Sequence, residues 1–276
     1  MRNSLLLVLV LIGCAPEEPA NPNAVDAALL APVLLDDREH MKTYLAELPA
    51  GVYKVYKVET IGSFYLDDID DLIKAWLRLG RVWEAHLEEF FPRYVKPGST
   101  VIDAGAHIGT HTLAFARLAG PQGRVYAFEP QRKIYRELVY NLRLNGAANV
   151  VPLRFALGDA ARVIEMSQAV LGNEGGTPIG IGGDKAEMRT LDSFGFRNVS
   201  FIKIDVEGAE DLVLDGARDT IRRNRPVILI EIHGGQVYEK ATPEVRSGID
   251  ATRARLTEMG YKTEHIRGHD YLAIPQ

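Results

Sequence analysis

The feature that most constrains the fold is the stretch Val101–Gly109, which reads V-I-D-A-G-A-H-I-G. A short apolar run ends in Asp103, and a turn that contains Gly105 and Gly109 leads into a predicted helix. A second apolar run ends in Glu129, at the distance of about 20 residues that nucleotide-binding sheets use. This order of strand, glycine turn, helix, strand and acid predicts an α/β sheet that holds a nucleoside-like cofactor.

The spacing within the turn narrows the choice of cofactor. It is Asp-x-Gly-x-x-x-Gly, whereas dinucleotide binders use Gly-x-Gly-x-x-Gly, which lets a pyrophosphate approach the helix N-terminus. S-adenosylmethionine has no phosphate and carries an ammonium and a sulfonium, so an acid at the end of the first strand suits it better. The motif therefore favours methyl transfer over hydride transfer, and a nicotinamide oxidoreductase is the weaker alternative.

Predicted strands and helices alternate from Thr100 onwards. The strands are expected at Val101–Asp103, Arg124–Phe128, Val150–Leu157, Phe201–Asp205, Pro226–Ile232, Tyr261–Ile266 and Tyr271–Ile274. The helices are expected at Thr110–Leu118, Arg132–Leu144 and Glu210–Arg222, and from Thr242 to Gly260. Residues Arg162–Glu187 are rich in glycine and are expected to form a hairpin or a mobile loop. Residues 98–276 are thus predicted to form a doubly wound, Rossmann-like α/β domain, whose mostly parallel sheet of seven strands has an antiparallel last strand.

The residues before this domain, 36–97, are predicted to form a helical extension. One helix is expected at Asp70–Tyr94, where apolar residues recur at three- and four-residue spacing. These residues are Leu72, Ile73, Trp76, Leu77, Leu79, Trp83, Leu87, Phe90 and Phe91. A short helix is expected at Asp36–Pro49, and Val52–Ile61 alternates like an edge strand or a hairpin.

The N-terminus resembles a bacterial lipoprotein signal. A positive start precedes the apolar run Leu5–Ile12, which is too short to span a bilayer and is followed by Gly13 and Cys14. Cys14 is the only cysteine of the chain, so a disulfide within the chain is excluded. We predict a signal at residues 1–14 with Cys14 lipidated, and a flexible tether at 15–35. The protein would then be a membrane-anchored lipoprotein of the cell envelope; an ordinary secretory signal, or a cytoplasmic protein with a misassigned start, are the alternatives.

Acidic residues stand at the ends of five predicted strands, where α/β sheets bind their ligands. They are Asp103, Glu129, Asp159, Asp205 and Glu231, and His233 follows the last of them. Buried carboxylates are unfavourable unless they are engaged, so this placement favours a binding site over separate helix caps.

The first three of these strand ends are expected to hold the cofactor. The two glycines of the turn let the backbone pass close to it, and Asp103 organises the turn near its amino acid end. Glu129 would accept hydrogen bonds from both ribose hydroxyls. Leu157 would offer an apolar wall to the adenine, and Asp159 is either a hydrogen-bond partner there or only a turn residue.

Six motifs are found in and around the predicted strands. They are Tyr94–Leu113, F-E-P at Phe128–Pro130, A-L-G-D at Ala156–Asp159, T-L-D-S-F at Thr190–Phe194, F-I-K-I-D-V-E-G-A-E at Phe201–Glu210 and I-L-I-E-I-H at Ile228–His233. Together they resemble the FkbM family of S-adenosylmethionine-dependent methyltransferases, and K-I-D-V-E-G-A-E is the most specific of them. Trp83-Glu84 and Asn173-x-Gly175-Gly176 also match, whereas the family usually has asparagine in place of His107.

The resemblance implies an enzyme that transfers a methyl group from S-adenosylmethionine to a hydroxyl oxygen on a sugar or a secondary-metabolite-like acceptor. Its cofactor-binding residues would be Asp103, Gly105, His107, Gly109, Glu129, Leu157, Asp159 and Asp205. Because an alcohol is a poor nucleophile, a general base or a metal is expected. The catalytic candidates are Asp205, Glu207 and His233, and the candidates for contacting the substrate are Glu210 and Glu231.

Two alternatives stay open. A divalent metal on Asp205, Glu231 and His233 would have hard ligands, although we favour a metal-free site. The second alternative is a lipid-anchored binding protein that keeps the fold but does not catalyse methyl transfer. It is considered because an exported protein would meet little S-adenosylmethionine. The formal net charge of −5 gives no electrostatic footprint for nucleic acid. The expected partners are therefore a small-molecule or glycan acceptor and, through Cys14, a membrane, with the oligomeric state left open.

Overall fold

The computed structural model describes residues 53–169, 172–232 and 242–276. The N-terminal elements are β1 (Lys54–Val58), β2 (Gly62–Leu66), α1 (Leu72–Arg78), α2 (Ala85–Glu88) and α3 (Phe91–Tyr94). The later strands are β3 (Thr100–Ala104), β4 (Arg124–Phe128), β5 (Val150–Leu153), β6 (Phe155–Leu157), β7 (Arg162–Ser167), β8 (Gly182–Arg189), β9 (Val199–Ile204), β10 (Val227–Glu231), β11 (Tyr261–Arg267) and β12 (Asp270–Pro275). The later helices are α4 (Thr110–Ala119), α5 (Arg132–Leu144), α6 (Glu210–Asp215), α7 (Arg218–Asn224) and α8 (Pro243–Glu258).

A seven-stranded sheet forms the centre, in the order β11-β12-β10-β9-β3-β4-β5. Strands β10, β9, β3, β4 and β5 are parallel, and β12 is antiparallel to both of its neighbours. This confirms the predicted fold class, a doubly wound, Rossmann-like and mostly parallel sheet of seven strands with an antiparallel last strand. Successive residues of a strand face opposite sides of the sheet, so Ile102 and Ile202 join one apolar cluster while Val101 and Phe201 join another.

The order of the strands determines where a ligand can bind. Strand β3 lies between β4, which follows it in the chain, and β9, which begins nearly a hundred residues later. The connections from β3 therefore leave towards opposite sides of the sheet and open a crevice at its carboxyl edge.

Two predicted elements divide in the structure. The strand predicted at Val150–Leu157 is wrong as one element, because β5 ends the central sheet while β6 leaves it to pair with β8. Pro152 is tolerated because β5 is an edge strand.

The helix predicted at Glu210–Arg222 is interrupted at Gly216, where a side chain would collide with the backbone of the loop after β6. Strands β6, β8 and β7 form a second sheet, which confirms the hairpin interpretation of Arg162–Glu187.

The described part of the extension contains a hairpin as well as helices. The single helix predicted at Asp70–Tyr94 is wrong, since this segment forms α1, α2 and α3. Gly80 follows α1 with φ +68, the left-handed conformation that ends helices, and Pro92 lies in the first turn of α3. The described part of Val52–Ile61 contains β1 and the turn after it, and β1 pairs with β2, which begins at Gly62, as a hairpin.

The N-terminal predictions fall outside the described residues. These are the signal at residues 1–14 with Cys14, the tether at 15–35 and the helix at Asp36–Pro49. Within the described ranges, no helix is both long and apolar enough to cross a bilayer.

Candidate active site

A cleft of about 490 Å³, open to solvent, lies at the carboxyl ends of β3, β4 and β9. One wall is apolar and comes mainly from β6 and its neighbours, with Phe155, Leu157, Met166 and Ile179. The floor is polar, and its side chains are those of Glu129, Gln131, Asp205 and Glu207. The cleft therefore has an apolar side and an acidic side, at the edge where the sequence placed the ligand.

The turn after β3 brings two backbone segments into contact. Gly105 has φ +82, and a Cβ at this position would collide with the backbone carbonyl of Asp205. Gly109 has φ +95, and a Cβ there would lie 2.9 Å from Leu138 Cδ1. Both positions therefore need glycine. The Gly105 amide donates to the Phe128 carbonyl over 3.0 Å, which ties the turn to the end of β4.

Asp103 lies beneath the turn and does not line the cleft. Its carboxylate is fully buried and accepts a hydrogen bond from Thr112 Oγ1 at 2.6 Å. Its other oxygen, Oδ1, has no hydrogen-bond partner among the described residues. Burial raises the pKa of Asp103, and the nearby Lys203 ammonium opposes this. Asp103 thus joins β3 to the first turn of α4.

Glu129 is buried at the end of β4 and contributes to the cleft. Its carboxylate accepts hydrogen bonds from the backbone amides of His107, at 3.1 Å, and Gln131, at 2.9 Å. Burial raises the pKa of Glu129 to about 7, although the two amide bonds favour the ionised form. A bound hydroxyl that donates to this carboxylate would stabilise its charge further.

His107 lies beside Glu129 in a left-handed conformation, with φ +49. Neither ring nitrogen has a hydrogen-bond partner among the described residues. Burial lowers the pKa of His107 to about 4, so the ring is neutral at pH 7. A Cβ at Gly175 would lie 2.9 Å from His107 Cδ2, so the absence of a side chain at Gly175 makes room for the ring.

Asp205 and Glu231 lie at the ends of β9 and β10 and contact each other, and Lys203 forms an ion pair with Asp205. Lys203 Nζ lies 2.8 Å from Asp205 Oδ2 and 3.4 Å from the Gly105 carbonyl. Glu231 hydrogen-bonds Asp205, and burial together with the charge of Asp205 raises the pKa of Glu231 to about 10. Burial and the neighbouring Asp205 therefore favour the protonated form of Glu231, which donates to Asp205.

A family model described as the methyltransferase FkbM domain matches residues 103–263, which is more than half of the chain. The chain belongs to the FkbM methyltransferase family. The match begins at Asp103 and spans every strand-end acid discussed above. A search of curated protein sequences finds no significant match.

Several solved methyltransferase structures resemble this FkbM-family chain. The methyltransferase FkbM of Methylobacillus flagellatus is 18% identical over 88% of this chain and 60% of its own, with a TM-score of 0.44. Fibrillarin of Aeropyrum pernix, solved with S-adenosylmethionine, is 16% identical over 83% and 85%, with a TM-score of 0.44. An S-adenosylmethionine-dependent O-methyltransferase of Thermotoga maritima is 13% identical over 84% and 96%, with a TM-score of 0.43. This chain thus spans about three fifths of the length of the Methylobacillus protein.

The structure does not bring every predicted site residue of this FkbM-family chain to the cleft. Asp159 lies at the surface, where Arg162 donates to its Oδ1 at 2.7 Å. Glu210 is buried, and its carboxylate accepts from the backbone amide of Gly208 at 2.9 Å, so it stabilises the turn before α6. His233 lies outside the described residues. Neither Asp159 nor Glu210 is among the residues that line the cleft.

The sequence did not predict several residues of the site. Gln131 lines the cleft. Lys203, for which the sequence favours a strand-end salt bridge over a catalytic role, forms an ion pair with Asp205. Glu84 comes from the extension, and its Oε2 lies 3.7 Å from Nε2 of His111. Gln131 directly follows the F-E-P motif and Lys203 lies within K-I-D-V-E-G-A-E. These motifs supplied the signal, but only the acids in them were chosen.

The metal alternative is not tested by the structure. No group of three or more metal-ligating side chains is found within the described ranges. His233, one of the three ligands considered, lies outside them, and Asp205 and Glu231 are engaged with each other.

Proposed function

We propose that this FkbM-family protein binds S-adenosylmethionine in the strand-end cleft and methylates a hydroxyl oxygen on a sugar or a secondary-metabolite-like acceptor. The observation that carries the proposal is the convergence of Gly105, Glu129, Leu157 and Asp205 on one cleft. A family match by itself gives only the class of reaction, whereas this arrangement offers an acid that would suit the ribose and an apolar wall that would suit the adenine.

The residues present fit the cofactor. The buried Glu129 carboxylate has two backbone donors and would accept the ribose hydroxyls, a geometry that an acid serves better than an amide. The apolar wall with Phe155, Leu157 and Met166 would hold the adenine. The missing side chain at Gly105 leaves the backbone free to approach the ligand, and the unpartnered ring nitrogens of His107 lie on the same turn.

Asp205 and Glu207 are proposed to handle the acceptor hydroxyl. When bound, the cofactor supplies an electrophilic methyl group. Asp205 already accepts from Lys203 and from Glu231, so its basicity is reduced and it would orient the hydroxyl rather than remove its proton. Glu207 lines the same cleft and would take the proton, with His233 as the other candidate base.

Calorimetry tests the cofactor, with S-adenosylmethionine and S-adenosylhomocysteine titrated into the full-length chain. Binding of both is expected, and binding of neither would contradict the proposal and favour a non-catalytic protein that keeps the fold. Incubation with methyl-¹³C-labelled cofactor and a panel of sugars tests the acceptor. A product with the carbon chemical shift of an O-methyl ether is expected, whereas transfer only to amines would exclude hydroxyl methylation.

We also propose that Cys14 is lipidated and that the protein is anchored in the cell envelope. The support is the position of the single cysteine behind the apolar run. Metabolic labelling with a palmitate analogue should mark the native chain and leave Cys14→Ser unmarked. Equal absence of label from both would favour a cytoplasmic enzyme with a misassigned start.

A further inference from the structure

Helix α1 has its polarity reversed relative to a normal surface helix. Its buried side chains include Lys74, whereas four large apolar side chains in and beside it face solvent. These form the apolar stripe: Ile69, Leu72, Trp76 and Leu79, which are 41%, 51%, 40% and 71% exposed. Their spacing of three, four and three residues places them along one face, the pattern that normally marks the core side of a helix.

The ion cluster of Asp67, Lys74, Lys133, Glu137 and Glu174 accounts for the buried lysine. Lys74 Nζ lies 2.8 Å from Asp67, 2.9 Å from Glu137 and 2.7 Å from Glu174, and Lys74 is fully buried. Lys133 contributes a second ammonium, 2.6 Å from both Asp67 and Glu174. Burial and pairing of this kind make removal of one partner unfavourable.

The ion cluster fixes which face of α1 is turned outward. Asp71 caps the helix by accepting from the Lys74 amide at 2.9 Å, and its other oxygen accepts from the Glu174 amide at 2.8 Å. A rotation of α1 that buried the apolar stripe would leave three buried carboxylates without Lys74. Arg78 donates to the carbonyls of Asp67 and Ile69, both at 2.6 Å, and so holds the start of the stripe in place.

The composition around the stripe suits an interface between apolar and aqueous phases. The Trp76 ring contacts the Trp83 ring edge to face, with centroids 6.2 Å apart, and Arg81 lies 5.5 Å above the Trp76 ring. Tryptophan is enriched at membrane–water interfaces because its ring is apolar and its N–H is polar. The exposed acids Asp68 and Asp70 balance the charges of Arg78 and Arg81, so this surface carries little net charge.

We propose that the apolar stripe docks α1 onto the surface of a lipid bilayer. The stripe consists of four side chains, whereas each partner of a stable protein complex contributes about 20–30 residues. The stripe is therefore small for a protein partner, but a weak contact suffices for a domain that a tether holds at the membrane. The contribution of the tether rests on the proposed lipidation of Cys14, and the stripe at residues 69–79 begins 16 positions after Tyr53, the first described residue.

The proposal goes beyond methyl transfer and does not depend on it. Because the surface has little net charge, docking is driven by burial of apolar side chains. Binding should therefore differ little between zwitterionic and anionic vesicles, and it should persist at high ionic strength.

Intrinsic fluorescence gives a local readout, because Trp76 and Trp83 are the only two tryptophans of the chain. Full-length Cys14→Ser protein, which cannot be acylated, is titrated with phosphatidylcholine vesicles up to a large excess of lipid, so that the weak contact is detected without the tether. A blue shift of the emission is expected. Vesicles with brominated acyl chains should quench this emission, since bromine quenches only fluorophores that reach the apolar region.

Two matched variants test whether vesicle binding depends on the apolar stripe or on any exposed apolar side chain. In the same background, the double substitution Leu72→Ser and Leu79→Ser should weaken vesicle binding, read from the tryptophan shift, by at least about tenfold. The control is Val163→Ser with Ile181→Ser on the β7–β8 hairpin, where the native side chains are 68% and 86% exposed. The control should bind vesicles like the parent.

Three results would overturn the proposal. The first is unchanged emission with brominated vesicles, and the second is an equal loss of binding in the control pair. The third is protection of the tryptophans from acrylamide without lipid. If that protection requires high protein concentration, a second copy occupies the stripe; if it does not, residues of the same chain cover it.

Discussion

The strand ends of the central sheet and helix α1 differ in where their charged and apolar side chains lie. At the strand ends, apolar residues fill the sheet and the acids stand at its edge, with Glu129 and Asp205 facing the cleft. In α1 a lysine is buried and leucine and tryptophan are exposed. The partners of Lys74 in the ion cluster include Glu137 and Glu174, which are 63 and 100 positions away in the chain. The positions of the site residues therefore follow from residues that are neighbours in the sequence. The orientation of α1, in contrast, depends on charged residues that are far away in the sequence.

The largest expected effect comes from removing the lysine that orients α1. Lys74→Met leaves three carboxylates with only Lys133 and should lower the free energy of unfolding by about 3–5 kcal/mol. Urea denaturation followed by circular dichroism measures it. The control is Lys57→Met, because Lys57 is exposed and pairs with Glu59 at the surface, and a change of less than about 0.5 kcal/mol is expected. Equal stability of Lys74→Met and the native chain would mean that the ion cluster does not orient the helix.

The second prediction concerns the close backbone contact in the turn after β3. Gly105→Ala would force its Cβ into the Asp205 carbonyl at a positive φ, so both the turn and the end of β9 must shift. Affinity for S-adenosylmethionine should fall about a hundredfold, or roughly 3 kcal/mol. Gly146→Ala is the control, since its φ is +61 but no atom lies within 4 Å of the added Cβ. The control should lose some stability and no affinity.

The third prediction tests the carboxylate assigned to the ribose. Glu129→Gln keeps the shape but removes the charge and one acceptor oxygen, so affinity for S-adenosylmethionine should fall by about 2 kcal/mol, or thirtyfold. Isothermal titration calorimetry measures it. Glu187→Gln, an exposed acid on β8, should bind like the native chain. If the two variants bound equally well, Glu129 would not contact the cofactor.

The fourth prediction is a pH dependence of cofactor binding. Glu129, with a pKa of about 7, must be ionised to accept the hydroxyls, so binding strengthens as pH rises. Affinity should increase about tenfold from pH 6 to pH 8. His107 remains neutral and Glu231 remains protonated across this range, with pKa values of about 4 and about 10. The profile should flatten in Glu129→Gln, and a profile unchanged by that substitution would assign the titration to another group.

The smallest expected effect on cofactor affinity comes from substituting Asp159, which lies outside the cleft. Asp159→Asn removes a surface ion pair with Arg162 and should change cofactor affinity by less than about twofold. A loss as large as that of Glu129→Gln would show that Asp159 reaches the cofactor after all. The comparison thus separates strand-end acids that face the cleft from those that do not.

The sequence predicted the central sheet because its information is local. Each strand is a short apolar run, and the acid directly after a parallel strand of the central sheet reaches the ligand-binding edge, as for Glu129 after β4 and Asp205 after β9. Asp159 failed this rule because β6 leaves the central sheet and ends elsewhere. Once β6 pairs with β8, the strand-end position no longer implies the cleft.

The extension could not be predicted in the same way. The apolar spacing in Leu72, Trp76 and Leu79 is that of a core-facing helix, and it correctly indicates helix for α1. The orientation of α1, however, depends on Glu137 and Glu174, and periodicity within one segment contains no information about them. Gly80 was the local signal that the predicted long helix would break.

One measurement tests the central claim, that the strand-end carboxylates form an S-adenosylmethionine site. The cofactor is titrated calorimetrically into the full-length chain at pH 7, in two buffers with different enthalpies of ionisation. We predict saturable binding of one molecule per chain with release of about half a proton, because Glu129 has a pKa of about 7 and binds hydroxyls as the anion. The release should disappear in Glu129→Gln. Absence of binding, or binding with the same proton release in that variant, would contradict the account.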